Sequence, residues 1–459
     1  MYFLGIDIGS SFLKSSVLNL SERKIEASGS LPTPPFAELP PARREIPIHA
    51  LTDAVRQLIH QAAAAYPLEG VVFSVQMHGF MLFEPNGKPV TDYISWQDLR
   101  AAVPGEDGRS LMDRLREDLP DALLREDGIR LRPNHSLLPL CHYVREQSPA
   151  GPLELAMIGD GVTRLLTGRR VAVHPTQAAS TGLYSLEQGD WNRTLIARLG
   201  LEQVDFPPVS ESAEPVAVYD GPAGKVPIYL ALGDHQAAVL GIGAGDGDLF
   251  INIGTGGQIG YVNRGISLGD YETRPFFLGR TIRAVTQLPS GRSLNVLLDF
   301  VMDVGRRLFD AQPTQKEVWS RIGALTVGQV PEGGLQADLS FFDAGGGSLQ
   351  GINGENFTAR NLFVSAYDAM AAAYRAAARR VLSAADGMPA GVVCTGGVVR
   401  RNPLLLERIR HHFSIPCRLA PYSDDTMVGL LRYALWCRTG KPLFGEPFAL
   451  GGSAPDREG

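Results

Sequence analysis

The chain opens with three apolar-rich runs separated by short polar turns, residues 2–8, Leu13–Leu20 and Lys24–Ser30, and this spacing predicts a β-meander. A Pro-rich connection from Pro32 to Pro47 follows. Leu51, Val55, Leu58 and Ile59 then recur at helical spacing and predict a helix from His49 to Tyr66. The run Gly70–Val75 predicts a buried strand that ends in the polar phrase Gln76-Met77-His78-Gly79, and Asn86-Gly87 marks a hairpin. Residues 101–150 are punctuated by Pro and Gly, which predicts short helices, and a helix over Ile158–Leu166 stops at Gly168. Pro207–Pro227 has the composition of a linker. Ile228–Ala231 predicts a strand running into a small-residue helix that starts in the phrase Leu232-Gly233-Asp234-His235-Gln236-Ala237-Ala238. An Ala-rich helix is expected over about residues 361–386, and a strand Gly391–Cys394 ends at Thr395-Gly396-Gly397. The recurring order of strand, hairpin, helix and strand implies α/β domains with mixed sheets. The boundary falls near residue 230, giving domains 1–230 and 231–442, with a Gly- and Pro-rich tail 443–459 expected to add little core.

One phrase occurs twice. Leu4-Gly5-Ile6-Asp7-Ile8-Gly9-Ser10-Ser11 near the N-terminus is matched by Phe250-Ile251-Asn252-Ile253-Gly254-Thr255-Gly256-Gly257 in the second half, at a constant offset. Each copy is an apolar strand, a polar carboxylate or amide, then a Gly and a hydroxyl in a turn. Glycine permits positive φ and close backbone approach, so such turns can aim amides at an anion. Two of them, one per half, suggest two related domains facing each other across a nucleotide. Neither loop fits the spacing of a Walker A phosphate loop.

Composition narrows the classes. A length of 459 residues exceeds a single core, and 44% hydrophobic with 20% charged residues describes an ordinary globular chain. The net charge of −6 argues against a nucleic-acid partner, and no apolar run approaches a membrane span. The four cysteines, Cys141, Cys394, Cys417 and Cys437, show no zinc spacing. Together with the absence of a leader pattern they suggest a reducing, cytoplasmic setting.

Several residues could carry chemistry. Asp7, at a strand end, suits either a turn that caps its own backbone or a ligand to Mg²⁺. Asp234, at a strand end and a helix start, reads as an N-cap or as a general base. Gly254-Thr255-Gly256 and Thr395-Gly396-Gly397 lie past strand ends, where open α/β sheets bind ligands. Gln76, Met77 and His78 with Trp96 and Asp98 combine donors, acceptors and an aromatic face, as a polyhydroxy substrate requires.

The ordered set Gly-Ile-Asp-Ile-Gly-Ser, Gln-Met-His-Gly, Trp-x-Asp-x-Arg, Gly-Asp-x-Gln, Gly-Thr-Gly and Thr-Gly-Gly resembles the FGGY carbohydrate kinases of the actin-like ATPase superfamily, from Gly5 to about residue 440. The resemblance implies two ribonuclease-H-like domains with mixed β-sheets flanked by helices, an active site in the cleft between them, and ATP and Mg²⁺ as cofactors. It implies Asp234 as catalytic base and as a neighbour of the metal held by Asp7. Gly9, Ser10, Ser11, Gly254, Thr255 and Gly256 would border phosphate, with Gly396, Gly397 and Asn402 near adenosine. Gln76, Met77, His78, Trp96, Asp98 and Asp234 would meet the sugar. Gln76-Met77-His78-Gly79 is similar to the phrase of ketose kinases, since glycerol kinases carry a charged Gln-Arg-Glu-Thr-type phrase there. Gln177–Ser180, Gly182-Leu183-Tyr184 and Pro275–Arg283 are similar to the sedoheptulokinase branch. The expected activity is therefore phosphorylation of a terminal hydroxyl of a sedoheptulose- or xylulose-like ketose. The expected partners are a small sugar and ATP, neither nucleic acid nor membrane, and a homodimer is compatible. A non-sugar actin-like ATPase and a catalytically silent sugar-binding relative are the rival readings.

Overall fold

The structure is a computed structural model that describes residues 1–451 apart from 121–123, 125–126, 130, 134, 330–332, 343–344, 384–385 and 447. The expected tail beyond 451, and residues 384–385 of the expected Ala-rich helix, lie outside the described residues.

Strands Tyr2–Ile8, Phe12–Asn19 and Lys24–Pro32 form the antiparallel meander that the alternation predicts. Leu68–Val75 joins parallel to the first of them, so both strands end on the same edge. Helix Ile48–Ala65 lays Leu51, Val55, Leu58 and Ile59 on this sheet, where they are buried with Leu4, Ile6 and Phe73. Each such side chain contributes about 1.5–3 kcal/mol by leaving water. A separate lobe with its own core, between Phe80 and Phe206, rises from the same half.

The second sheet runs in the order Glu272–Pro275, Arg280–Thr286, Gly257–Arg264, Leu249–Ile253, Val392–Thr395, Cys417–Leu419. Leu249–Ile253 has one antiparallel and one parallel neighbour. Tyr2–Ile8 stands in the same way between Phe12–Asn19 and Leu68–Val75. The repeated phrase therefore marks a topological repeat.

Four expectations change. Pro207–Pro227 is not a linker throughout: Ala217–Gly221 and Gly224–Ile228 form a hairpin on the edge of the first sheet, where proline costs little. Leu232–Gly233 pairs with Ser74 and Val75, so the first sheet continues past residue 230. The Ala-rich helix spans Ala359–Val381. In the tail, Phe444 and Phe448 pack on the central core, and a backbone carbonyl at Glu446 accepts from the buried Arg432. No helix among the described residues is long and apolar enough to cross a membrane.

Helices Asp234–Ile242 and Asp425–Thr439 cross between the two sheets. The crossing is close because glycines meet there. A Cβ at Gly241 would stand 1.8 Å from the Asp425 carbonyl oxygen, and one at Gly429 would stand 1.8 Å from that of Ala237. Neither backbone can yield without parting the helices. Gly429→Val is therefore expected to destabilise the fold by about 3 kcal/mol or more. Chemical denaturation with an unchanged midpoint would refute that packing.

Candidate active site

Three parallel strands deliver their carboxyl ends to one place. Tyr2–Ile8 presents Asp7 and the turn Gly9-Ser10, Leu68–Val75 runs into Gln76, Met77 and His78, and Leu232–Gly233 runs into Asp234. Asn252, Gln258 and Arg274 arrive from the second sheet, and Thr426 from the start of the last helix. With Trp96, His235 and Ala238 these residues line one cavity of about 510 Å³ between the halves. A larger cavity of about 890 Å³ lies across Glu272, lined by Arg132, Thr286 and Arg292 among others, and includes none of the residues singled out from the sequence.

The two carboxylates are electrostatically coupled. Burial, reinforced by the negative charge of Asp7, pushes Asp234 up to about 6, although the His235 N–H donates to its Oδ1 at 2.7 Å. Burial also raises Asp7, against the Ser74 hydroxyl, which donates to it at 2.9 Å. Two mutually repelling carboxylates facing the cleft, Asp7 half-buried and Asp234 open to it, suit a divalent cation, which would lower both. Mg²⁺ is commonly held by one or two carboxylates plus substrate phosphates. No cluster of three acidic, His or Cys ligands exists among the described residues, so an all-protein cage is not the design.

The histidines are neutral and their tautomers follow from their partners. His78 takes φ 64°, a strained value for a side chain with a Cβ, and its ring Nδ1 lies 2.7 Å from the Ser180 carbonyl. A carbonyl only accepts, so Nδ1 carries the proton and Nε2 is an acceptor. Burial, then Arg274, pulls His78 down to about 4. In His235 the Nδ1 faces the Arg274 guanidinium at 3.2 Å and must accept, which leaves Nε2–H as donor. Burial holds this ring well below the ordinary histidine range too. His235 Nε2 and both amide atoms of Gln76 have no hydrogen-bond partner among the described residues. In a cavity wall such groups can be satisfied by water or by a polar ligand.

The remaining sequence candidates fall outside the cavity lining. Asp98 is fully buried, forms an ion pair with Arg100 at 2.7 Å and accepts from the Arg44 N–H at 2.8 Å. This carboxylate shapes the loop beneath Trp96 and makes no direct contribution to the cavity wall. Ser11 accepts from the Thr33 N–H through its carbonyl. Gly254, Thr255 and Gly256 form the turn between the lining residues Asn252 and Gln258, braced by Ser290, whose hydroxyl donates to the Thr255 carbonyl at 2.7 Å. Gly396 lies against that turn with φ 97°, where a Cβ would stand 2.4 Å from the Ile253 carbonyl oxygen, so glycine is required there. Gly397 starts the next short helix, Gly397–Arg401. Asn402 accepts from the Tyr367 hydroxyl at 2.8 Å and donates to the Val398 carbonyl at 2.6 Å, which makes it a joint between helices.

The expected reason for the repeated glycines is corrected. Gly9, Gly254 and Gly256 are not among the residues with positive φ. The Gly9 N–H donates to the Phe12 carbonyl and the Gly254 N–H to that of Gly256, so both amides close their own turns. A Cβ on Gly256 would meet nothing within 4 Å, so this position leaves open room instead.

Sequence reasoning passed over His235, Gln258, Arg274 and Thr426. The constant offset pointed to Asn252, and His235 lay inside a quoted phrase. Nothing local marks Arg274, which reaches the cavity through strand order alone.

The family model for the FGGY family of carbohydrate kinases, N-terminal domain, matches residues 2–241. The chain belongs to this family. The family match runs past the boundary near residue 230 and includes Asp234. A xylulose kinase of Lactococcus lactis is 24% identical over 320 residues, covering 64% of this chain and 60% of that protein. A glycerol kinase of Methylibium petroleiphilum is 29% identical over 260 residues, covering 52% and 50%. These matches thus span only half to three fifths of the curated relatives. Among solved structures, a gluconate kinase from Lactobacillus acidophilus superposes with a TM-score of 0.81 over 96% of this chain and 90% of its own, at 17% identity. That likeness establishes the shared FGGY fold of two α/β domains with mixed sheets.

Proposed function

We propose that this FGGY protein transfers the γ-phosphoryl group of ATP to a hydroxyl of a polyhydroxy acceptor, with Asp234 as general base. The observation that carries the reading is the meeting of Asp234, Asp7 and the unpartnered Gln76 and His235 in one interdomain cavity. The acceptor hydroxyl forms its bond to the γ-phosphorus as the bond to the β,γ-bridging oxygen breaks, and the hydroxyl proton passes to Asp234. A base near 6 is ionised at neutral pH yet basic enough to take that proton late in the transfer. In such reactions positioning and charge neutralisation supply most of the rate.

Mg²⁺, the metal this family implies, would be held beside Asp7 and Asp234 and would offset phosphate charge. Phosphate oxygens would meet the amides of Ser10, Ser11, Thr255 and Gly256, since those of Gly9 and Gly254 close their turns. His78 offers an acceptor, His235 a donor and Gln76 both, which suits a row of hydroxyls. The sequence-based preference for a ketose rests on Gln76-Met77-His78-Gly79. These donors and acceptors fit the hydroxyls of any linear polyol, so they support the class of acceptor more than its carbonyl.

The test is MgATP-dependent ADP release against a panel of ketoses, polyols and sugar acids, with Asp234→Asn as control. Acceptor-dependent release lost in the variant is the expected result. Release that ignores every acceptor would instead identify a non-sugar ATPase, and no release with any of them a silent relative.

A further inference from the structure

Among the described residues that line the cavity, Arg274 is the one arginine or lysine. Its side chain is only 15% exposed. Nε and Nη2 donate to one Glu272 oxygen at 3.2 and 2.5 Å, and Nη1 donates to His235 at 3.2 Å. A guanidinium has five N–H groups, so these bonds leave two for a ligand.

Glu272 does not neutralise Arg274 by itself, because Arg132 of the first half binds the same carboxylate and the Thr286 hydroxyl besides. Burial would raise Glu272, but Arg274 and Arg132 together hold it down to about 2, so it is ionised. Arg132 thus shares the charge of Glu272, so Arg274 keeps part of its own, and its two remaining N–H groups are suited to a carboxylate that stands apart from the Asp234 and Asp7 side of the cavity. The charge also has a definite place. Arg274 acts on His78, His135, His235 and Asp234, whereas the charges acting on Asp7 are those of Lys14 and Asp424. Arg274 thus belongs to the acceptor side of the cavity and the Asp7 turn to the phosphate side.

We infer that the acceptor is a sugar acid, an aldonate or keto-aldonate whose carboxylate pairs with Arg274 and whose far hydroxyl reaches Asp234. This rests on the kinase reading and narrows its substrate. The carboxylate takes the two remaining N–H groups of Arg274, with His235 Nε2–H as a neighbouring donor. The product is then a phosphorylated sugar acid and ADP, formed by the same transfer, with the carboxylate unchanged.

Steady-state kinetics with straight-chain aldonates and keto-aldonates of four to six carbons, the matching aldonamides, ketoses and polyols, and a ketose phosphate decide the matter. For the wild-type protein, kcat/KM for the best acid is expected to exceed that for its amide and for the neutral ketose by about a hundredfold or more. Its KM should rise with ionic strength. Arg274→Met should raise KM for the acid about a hundredfold more than it raises KM for neutral polyols, and Arg274→Lys should restore part of that difference. A neutral ketose preferred over every acid would overturn the inference and leave the kinase intact, and so would preference for the ketose phosphate. An equal loss of kcat for all acceptors in Arg274→Met would reassign the residue to the phosphoryl group. The amide comparison needs no variant, so poor folding of Arg274→Met does not blunt the test. Turnover with no acceptor at all would remove the kinase reading along with this one.

Discussion

Asp234→Asn is expected to lower kcat by about two to four orders of magnitude, the usual contribution of a positioned general base, while acceptor affinity changes only a few-fold. Asparagine keeps the shape and can still accept from the His235 N–H, so the loss isolates the proton-taking role. Stability should move the other way. The folded carboxyl is pushed up to about 6 while an unfolded one keeps the ordinary value of 3.8, so this group favours the folded state fully below the unfolded value. That contribution disappears as pH rises through about 6, when a charge must be held beside Asp7 in the partly desolvated cleft. Because Asp234 is exposed to the cleft and screened by solvent, removing the charge should stabilise the protein only modestly, by about 1 kcal/mol or less at neutral pH, and by little near pH 4. Denaturation of both forms at the two pH values measures this. A variant less stable than the wild type at neutral pH would mean that Asp234 is held as an anion in the free protein. Retained turnover would remove it from the base role.

Asp7→Asn comes next in expected effect, with a fall in kcat of about two to three orders of magnitude through weaker handling of phosphate charge. It carries a separate signature. The Asp7 charge is the second cause, after burial, that raises Asp234, so deleting it lowers the Asp234 pKa. The acid limb of kcat/KM, expected near pH 6 in the wild-type protein, should move to lower pH in the variant. The gain in ADP affinity on adding Mg²⁺ should shrink as well. An acid limb that stays in place would mean that the two carboxylates do not interact, and an undiminished Mg²⁺ effect would place the metal elsewhere.

Much of the frame is legible because it is local. The meander, the helix over Leu51, Val55, Leu58 and Ile59, and the repeated strand-and-turn phrase each follow from side-chain period or turn chemistry within a few residues. Pro207–Pro227 misled because proline counts against a strand by composition, while an edge hairpin tolerates it. The tail misled similarly, because its glycines and prolines hide Phe444 and Phe448, which find the central core only once the last helix is placed.

The site divides in the same way. Asp7, Gln76, Met77, His78 and Asp234 were visible because each ends a predicted strand, and strand ends are where an α/β sheet gathers its ligands. Asp98 looked equivalent, yet it is committed to Arg100 and Arg44, an assignment that depends on how its loop folds back. Arg274, the His235 tautomer and the raised Asp234 carboxyl depend on groups far apart in the chain.

By itself the sequence determined two α/β halves, a repeated phosphate-type turn and the carboxylates that could serve phosphoryl transfer, because period and turn preference act between near neighbours. The tertiary structure alone decided which polar groups share the cavity, which stay without partners, and what charge is left on its acceptor wall. Those properties come from burial and from Coulomb interaction across the fold, and neither is encoded at any single stretch of the chain.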